Sequence, residues 1–232
     1  MSYNAVNSLV NNWGMGIEGG IPDSWFNEID KPEIRLLEVG FGKGNLLKRF
    51  DHENGPKLHG LEASFVNYEY TQNESKVNAQ LSLCDISTER FQYPDQTFDV
   101  VVLLEVLEHI MSPIHCILEI KRVLKNNGIF IFSWPEERLI SGIGKEEDNS
   151  KRRYGPGFHS FPYPGLFKYE NTRVFLNQFF FKIIDEEKND YHIFFKMENK
   201  RVDRPEILDV VNGDYSGDEL YGDIKTPPKL II

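Results

Sequence analysis

Apolar and polar positions alternate in blocks along this chain, and the blocks change period in a regular order. "IRLLEV" (34–39) is a short, nearly continuous apolar run and predicts a buried strand. "GNLLKRFD" (44–51) has helical spacing. "KLHGLE" (57–62) predicts a second strand, and "SFVNYEYTQNESK" (64–76) a helix with Ser64 as its N-cap. "AQLSLCD" (79–85) predicts a third strand. "FDVVVLL" (98–104) is continuously apolar and β-branched, the pattern of a strand covered on both faces. "PIHCILEIKRVLKN" (113–126) predicts a helix opened by Pro113 and closed before Gly128, with Ile114, Ile117, Leu118, Lys121 and Leu124 on one stripe. "GIFIFSW" (128–134) is the fifth strand.

Strand and helix in alternation predict an α/β fold with a mainly parallel sheet. The pattern then changes. "FFFKIID" (179–185) and "YHIFFKM" (191–197) flank the polar "EEKND", which predicts an antiparallel hairpin closing one sheet edge. Residues 1–33 predict a short helical or irregular cap before a domain spanning 34–200. "SGIGKEEDNSKRRYGPG" (141–157) is glycine-rich and charged, and predicts a loop. The stretch from Pro205 to Ile224 holds six acidic residues and no basic one, so 201–232 is expected to be an acidic, poorly ordered tail or a peripheral extension.

Composition narrows the class. The 232 residues, 40% hydrophobic with 17 Phe and 10 Tyr, suit one medium globular domain. A net charge of −10 argues against a long nucleic-acid footprint, so no DNA partner is expected. Cys84 and Cys116 form no CxxC pair and lie in apolar segments, as buried thiols do. The start lacks the charged and apolar regions of a signal peptide, and no apolar run reaches the roughly 20 residues a membrane span needs, so the expected location is the cytoplasm.

Candidate chemistry collects at the predicted strand ends, where ligands sit in open α/β sheets. The first strand runs into Glu38 and the glycines at 40, 42 and 44. The second ends at Glu62, the third at Asp85. The fourth leads into Glu105, Glu108 and His109. Bare backbone at the head of a helix lets a ligand approach closely and meet free N–H groups. Glu62 follows Gly40 by 22 residues, the usual distance to an acid that grips a ribose diol. A dinucleotide fingerprint GxGxxG would need a small third residue where Asn45 stands, which disfavours a nicotinamide-dependent oxidoreductase.

The alternative, E/D-x-G-x-G-x-G, is complete as Glu38-Val-Gly40-Phe-Gly42-Lys-Gly44. Here the chain resembles the class I S-adenosylmethionine-dependent methyltransferases, from about residue 34 to 134. "LHGLEAS", "LCDI", "FDVVVLLEVLEHI" and "IKRVLKNNGIFIFSWP" are similar to later segments of that family, in order. The resemblance implies a Rossmann-like three-layer sandwich, a seven-stranded, mostly parallel sheet with an antiparallel last strand. It implies S-adenosyl-L-methionine as cofactor and S-adenosyl-L-homocysteine as product. It places Gly40, Gly42 and Gly44 along the methionyl and ribose portion, Glu38 near the amino group and Glu62 on the ribose hydroxyls. Asp85 and the Ile86 backbone N–H would meet the adenine, and the Leu104 carbonyl the methionyl amine.

For the transfer itself, His109 and His159 are the candidate bases. His52, His59 and His192 show no partner in the sequence. Glu105, Glu108 and His109, at i, i+3 and i+4, would share a helical face. With His159 they make a set that suits a divalent metal. Some ubiquinone-pathway and small-RNA 2′-O-methyltransferases use a similar pattern for a metal, while the same "EVLEH" occurs in methyltransferases without one, and no residue is assigned to a metal here. The expected acceptor is a small molecule or a carbohydrate unit methylated on oxygen, beneath an aromatic lid drawn from Trp13, Trp134, Tyr154, Phe158, Phe161 and Tyr163. An RNA 2′-O-methyltransferase and a non-catalytic cofactor-binding module remain as alternatives.

Overall fold

The computed structural model describes residues 20–110, 112–135, 169–179, 181–188 and 192–200. His159, the loop at 141–157, most of the expected lid and the tail lie outside the described residues. Helix α1 (Asp23–Ile29) leads into β1 (Arg35–Val39), α2 (Asn45–Phe50), β2 (Lys57–Glu62) and α3 (Phe65–Tyr70), which continues as a π turn over Thr71–Ser75. Then come β3 (Gln80–Leu83), β4 (Phe98–Leu104), a 3₁₀ turn (Leu107–His109), α4 (Pro113–Val123) and β5 (Leu124–Pro135). Helix α5 (Tyr169–Gln178) and strands β6 (Phe181–Lys188) and β7 (His192–Asn199) follow.

The seven strands form one sheet in the order β3-β2-β1-β4-β5-β7-β6. β1 to β5 are parallel, and β7 runs antiparallel between β5 and β6. The order reverses at β1, so β1 and β4 part at their carboxyl ends and open a crevice there. Period-2 alternation in the strands feeds two cores. Leu37, Val101, Phe130, Phe132 and Phe195 meet α4 through Cys116, Ile117 and Ile120 on one face. Leu36, Val100, Val102, Ile131 and Phe194 meet Trp25, Ile29, Leu47 and Phe50 on the other. Helices on both faces explain why β4 is apolar at nearly every position. Both cysteines are free and buried, as the sequence suggested.

Three expectations change. Helix α4 buries Pro113, Cys116, Ile117, Ile120 and Val123, while Ile114 and Leu118 are 53% and 51% exposed. The buried stripe is rotated from the expected one, because the half-polar face of α4 is taken by the segment after β3. There Glu119 accepts from the Phe91 N–H at 2.8 Å, and Arg122 donates to the carbonyls of Phe91 and Tyr93. The helix also stops at Val123 rather than 126, since Leu124 already pairs with Phe98 as a strand. Finally, β6 extends to Lys188, so the connection to β7 is shorter than "EEKND".

The lead-in contains a real helix. Trp25 is fully buried, and its indole N–H donates to Asp185 Oδ2 at 2.8 Å across the sheet edge. Lys196 pairs with Glu28, and Arg49 covers the Phe26 ring at 3.9 Å. Thus α1 ties α2, the helix after the glycine turn, to the antiparallel edge.

Candidate functional site at the carboxyl ends of the strands

The turn after β1 is fixed by its neighbours. The N–H groups of Gly40 and Phe41 both point to the Leu61 carbonyl, at 2.7 and 3.3 Å. Phe41 is buried over Gly60, where a Cβ would stand 2.5 Å from its ring. Gly40, Gly42 and Gly44 adopt φ of +75°, +52° and +73°, in the left-handed region that side chains rarely enter. A Cβ on Gly40 would strike Val106, and one on Gly44 would strike Thr71, at 2.5 and 2.6 Å. A Cβ on Gly42 would meet nothing within 4 Å. The first and last glycines therefore serve packing, while the middle one presents bare backbone to open space. Gly44 caps α2 without a side chain, so no capping oxygen meets the first N–H groups of that helix.

Glu62, at the tip of β2, accepts from Gly42 N–H at 2.7 Å and Ser64 N–H at 2.8 Å. Burial raises its pKa, and the N–H donors of Ser64, Gly42 and Ala63 partly offset this. Glu38, near the end of β1, is 6% exposed, and its Oε2 is buried without a hydrogen-bond partner. Burial and the charge of Glu62 push its pKa well up, with the Leu47 N–H opposing. Two buried carboxyls, one with an unmet oxygen, thus flank the glycine turn and await a donor or a cation.

Asp85 follows β3, and its carboxylate accepts from Ser87 N–H at 2.9 Å and Thr88 Oγ1 at 2.8 Å. It organises the turn that carries Ile86, which is buried. The oxygens of Asp85 stay exposed and can accept again. Leu104 ends β4 opposite Ser133.

Beyond β4 the chain turns sharply, and Glu105 takes φ +53°. This breaks the expected helical face, because Glu105 precedes the 3₁₀ turn that carries Glu108 and His109. Glu105 instead accepts from Ser133 Oγ at 2.7 Å, and its other oxygen lies 3.7 Å from His192 Nε2. Glu108 is 1% exposed, with Oε2 unpartnered, and its Oε1 lies 3.5 Å from His109 Nε2. Burial raises Glu105 to about 8; burial and then the Glu105 charge raise Glu108. The pair therefore holds a proton at neutral pH. Burial lowers His192, keeping that imidazole neutral there. Among the described residues, no group of three or more His, Cys, Asp and Glu side chains is arranged to hold a metal ion.

His192 is the candidate that sequence reasoning missed. It sits on β7 opposite Pro135, 87 positions from its carboxylate partner. Its only signal was its place at the head of an apolar strand beside the fifth. His52 also has a partner, Asp30 at 2.8 Å, far from the crevice. Trp134 is 2% exposed and packs on Phe132 in the core, so it does not belong to a lid.

Comparison with known proteins agrees with this geometry. Residues 37–132 match the family model of the methyltransferase domain. A ubiquinone biosynthesis O-methyltransferase of Pelagibacter ubique is 30% identical over 128 residues, covering 54% of this chain and 53% of that protein. A sterol 24-C-methyltransferase of Gibberella zeae is 28% identical over 131 residues, 53% of this chain and 32% of its own. The chain thus spans about half or less of these relatives' lengths. Among solved structures, a SAM-dependent methyltransferase from Aquifex aeolicus superimposes with a TM-score of 0.59 at 17% identity, covering 83% of this chain and 97% of that one. The cyclase SpnF gives 0.61 at 16% identity, covering 86% and 92%. Motif, strand order and family match converge on one stretch: over residues 37–132 the chain matches the methyltransferase domain, in the fold of the class I S-adenosylmethionine-dependent enzymes.

Proposed function

We propose that this protein transfers the methyl group of S-adenosylmethionine to a hydroxyl oxygen of a small-molecule acceptor, sugar units included. The observation that carries the cofactor half is the unpartnered Oε2 of Glu38 near the end of β1, together with the open face of Gly42 in the turn that follows. A dinucleotide would bring a pyrophosphate towards two buried carboxyls whose ionisation its charge opposes. A nucleoside bearing a sulfonium and an ammonium brings cations, which favour the ionised carboxyls. The residues present fit the group: Gly40, Gly42 and Gly44 along its methionyl and ribose portion, Glu38 towards the amino group, Glu62 on the ribose hydroxyls, Asp85 and Ile86 at the adenine, and the Leu104 carbonyl beside the amine. When bound, the cofactor supplies a methyl electrophile that needs no activation by the protein.

The chain's own task is then to position the acceptor and remove its proton. Positioning alone is worth up to roughly 7–11 kcal/mol of barrier. An oxygen acceptor also needs a proton acceptor, and the end of β4 provides one. Glu105, Glu108, His109 and His192 stand together there as two carboxyls and two imidazoles. The O-methyltransferase activity in the name of the Pelagibacter relative supports the choice of oxygen. SpnF, a cyclase of similar fold, is a reminder that the fold alone decides neither acceptor nor reaction.

The test has two stages. Calorimetry on cofactor-stripped protein should detect S-adenosylhomocysteine and not NAD. Purified protein with methyl-labelled cofactor and a panel of phenols, alcohols and sugars should then yield a methyl ether. Binding of NAD in place of the nucleoside would end the first half of the proposal. Label found only on nitrogen or carbon would end the second.

A further inference from the structure

The glycine turn is held from outside by a segment that no motif marks. We infer that the π turn at Thr71–Ser75, through the Thr71 and Ser75 hydroxyls, is the brace that sets the cofactor loop in its binding shape. Thr71 is fully buried, and its Oγ1 donates to the Gly42 carbonyl at 3.1 Å. One turn on, Ser75 Oγ donates to the Lys43 carbonyl at 3.1 Å. Residues four apart lie on one side of such a turn, so both hydroxyls face the loop together.

Their targets are consecutive. Glu62 takes the Gly42 N–H, Thr71 the Gly42 carbonyl and Ser75 the Lys43 carbonyl. Three side chains thus fix three backbone groups on two successive residues of the turn. A peptide with φ +52° and no side chain has many conformations open to it, and glycine loses more entropy on ordering than any other residue. Preorganisation by neighbours lowers that cost before the ligand arrives. The Thr71 methyl adds a wall, since it stands 2.6 Å from where a Gly44 Cβ would be. The Lys43 ammonium lies 5.6 Å over the Tyr70 ring, the residue before the π turn, and ties the same two segments from the solvent side. A π turn widens the helix at the position where Thr71 must reach the loop, and such turns cluster at functional sites. Thr71 and Ser75 are positioning residues: they act on the cofactor through the loop.

This inference rests on the proposed cofactor, and the experiment separates the two. Thr71→Val keeps the shape and the methyl wall but removes the donor; Thr71→Ser keeps the donor. Calorimetry with S-adenosylhomocysteine on the full chain should show Thr71→Val weakened about three- to tenfold, the effect of one neutral hydrogen bond, with Thr71→Ser near wild type. Hydrogen exchange without ligand should show the Gly42 amide exchanging faster in Thr71→Val and not in Thr71→Ser. Ser75→Ala, at a less buried position, should weaken binding about threefold and decides the matter if Thr71→Val does not fold. Wild-type affinity in Thr71→Val, or in Ser75→Ala where that variant decides, overturns the inference. So does equal weakening in the valine and serine variants. Failure of the wild-type protein to bind the nucleoside overturns the cofactor proposal and the inference with it.

Discussion

Replacing Gly42 by alanine tests the contact on which the proposed cofactor placement depends most. The backbone there has φ +52°, where a Cβ costs roughly 1–2 kcal/mol. The loss of a flexible glycine from the unfolded chain returns about 0.4–1 kcal/mol. The net is about 1 kcal/mol, which for a chain of this size lowers Tm by roughly 2–4 °C. Nothing else stands within 4 Å of the new methyl, so the folded protein should bear it. If the nucleoside lies over Gly42, that methyl intrudes into its space. Such overpacking costs about 1–3 kcal/mol, or roughly 5- to 150-fold in Kd. Gly40→Ala makes the contrast. Its Cβ strikes Val106 at 2.5 Å inside the protein, so it should add roughly 1–3 kcal/mol of folding cost to the same backbone strain. Thermal unfolding and calorimetry with S-adenosylhomocysteine on both variants give the answer. Gly42→Ala should lose affinity with modest destabilisation, whereas Gly40→Ala should lose mainly stability. Wild-type affinity in Gly42→Ala would show that the nucleoside does not lie over Gly42.

Three further outcomes are expected. The carboxyls of Glu38, Glu62, Glu105 and Glu108 all have raised pKa values when folded, so the folded protein binds protons that the unfolded chain has released. That stability is present below the ordinary carboxylate range and is lost as pH rises through the folded values; urea midpoints of the ligand-free protein should fall from pH 6.5 to pH 8.5, and a rise would contradict the burial described. Burial raises the Glu38 pKa and a cation beside it would favour the ionised form, so binding of the proposed nucleoside, followed from pH 5 to pH 8 in buffers of different ionisation enthalpy, should release protons in the wild type and not in Glu38→Gln. Asn199 is fully buried and donates to the carbonyls of Lys121, Leu124 and Lys125 at 3.4, 3.2 and 3.0 Å, closing the end of α4 from β7. Asn199→Leu leaves them unmet and should cost about 2–4 kcal/mol by urea unfolding, a loss under about 0.5 kcal/mol counting against this role.

The parts of the molecule legible in the sequence are those written by local period. β4 and β2 appear with the bounds their apolar runs predict, and Ser64 caps α3 by accepting from Asn67 N–H at 3.3 Å. The acids and glycines proposed for the cofactor were placed correctly at strand ends because the period itself locates those ends. Helix α4 was half legible. Its apolar residues outnumber one stripe, and only the Glu119 and Arg122 contacts to 91–93 choose which face turns inward. The acceptor side was least legible. Glu105 leaves helical geometry through a positive φ that its sequence does not announce, and its partners Ser133 and His192 come from other strands. Trp25 and Asp185 are 160 positions apart, and Asp185 stands where β6 shifts register against β7. Side chains that meet through the fold leave no spacing to read.

The insertion of β7 between β5 and β6 also orders events in time. Until His192–Asn199 has been made, the flank of β5 that carries Phe130 and Phe132 has no hydrogen-bonding neighbour, and the pair that finally covers it lies about 60 residues apart along the chain. Slow, distant closure of an aromatic ribbon is the circumstance in which polypeptides find each other first. A version truncated before this strand should therefore gather into inclusion bodies, even with Glu38, the glycine turn, Glu62 and Asp85 intact.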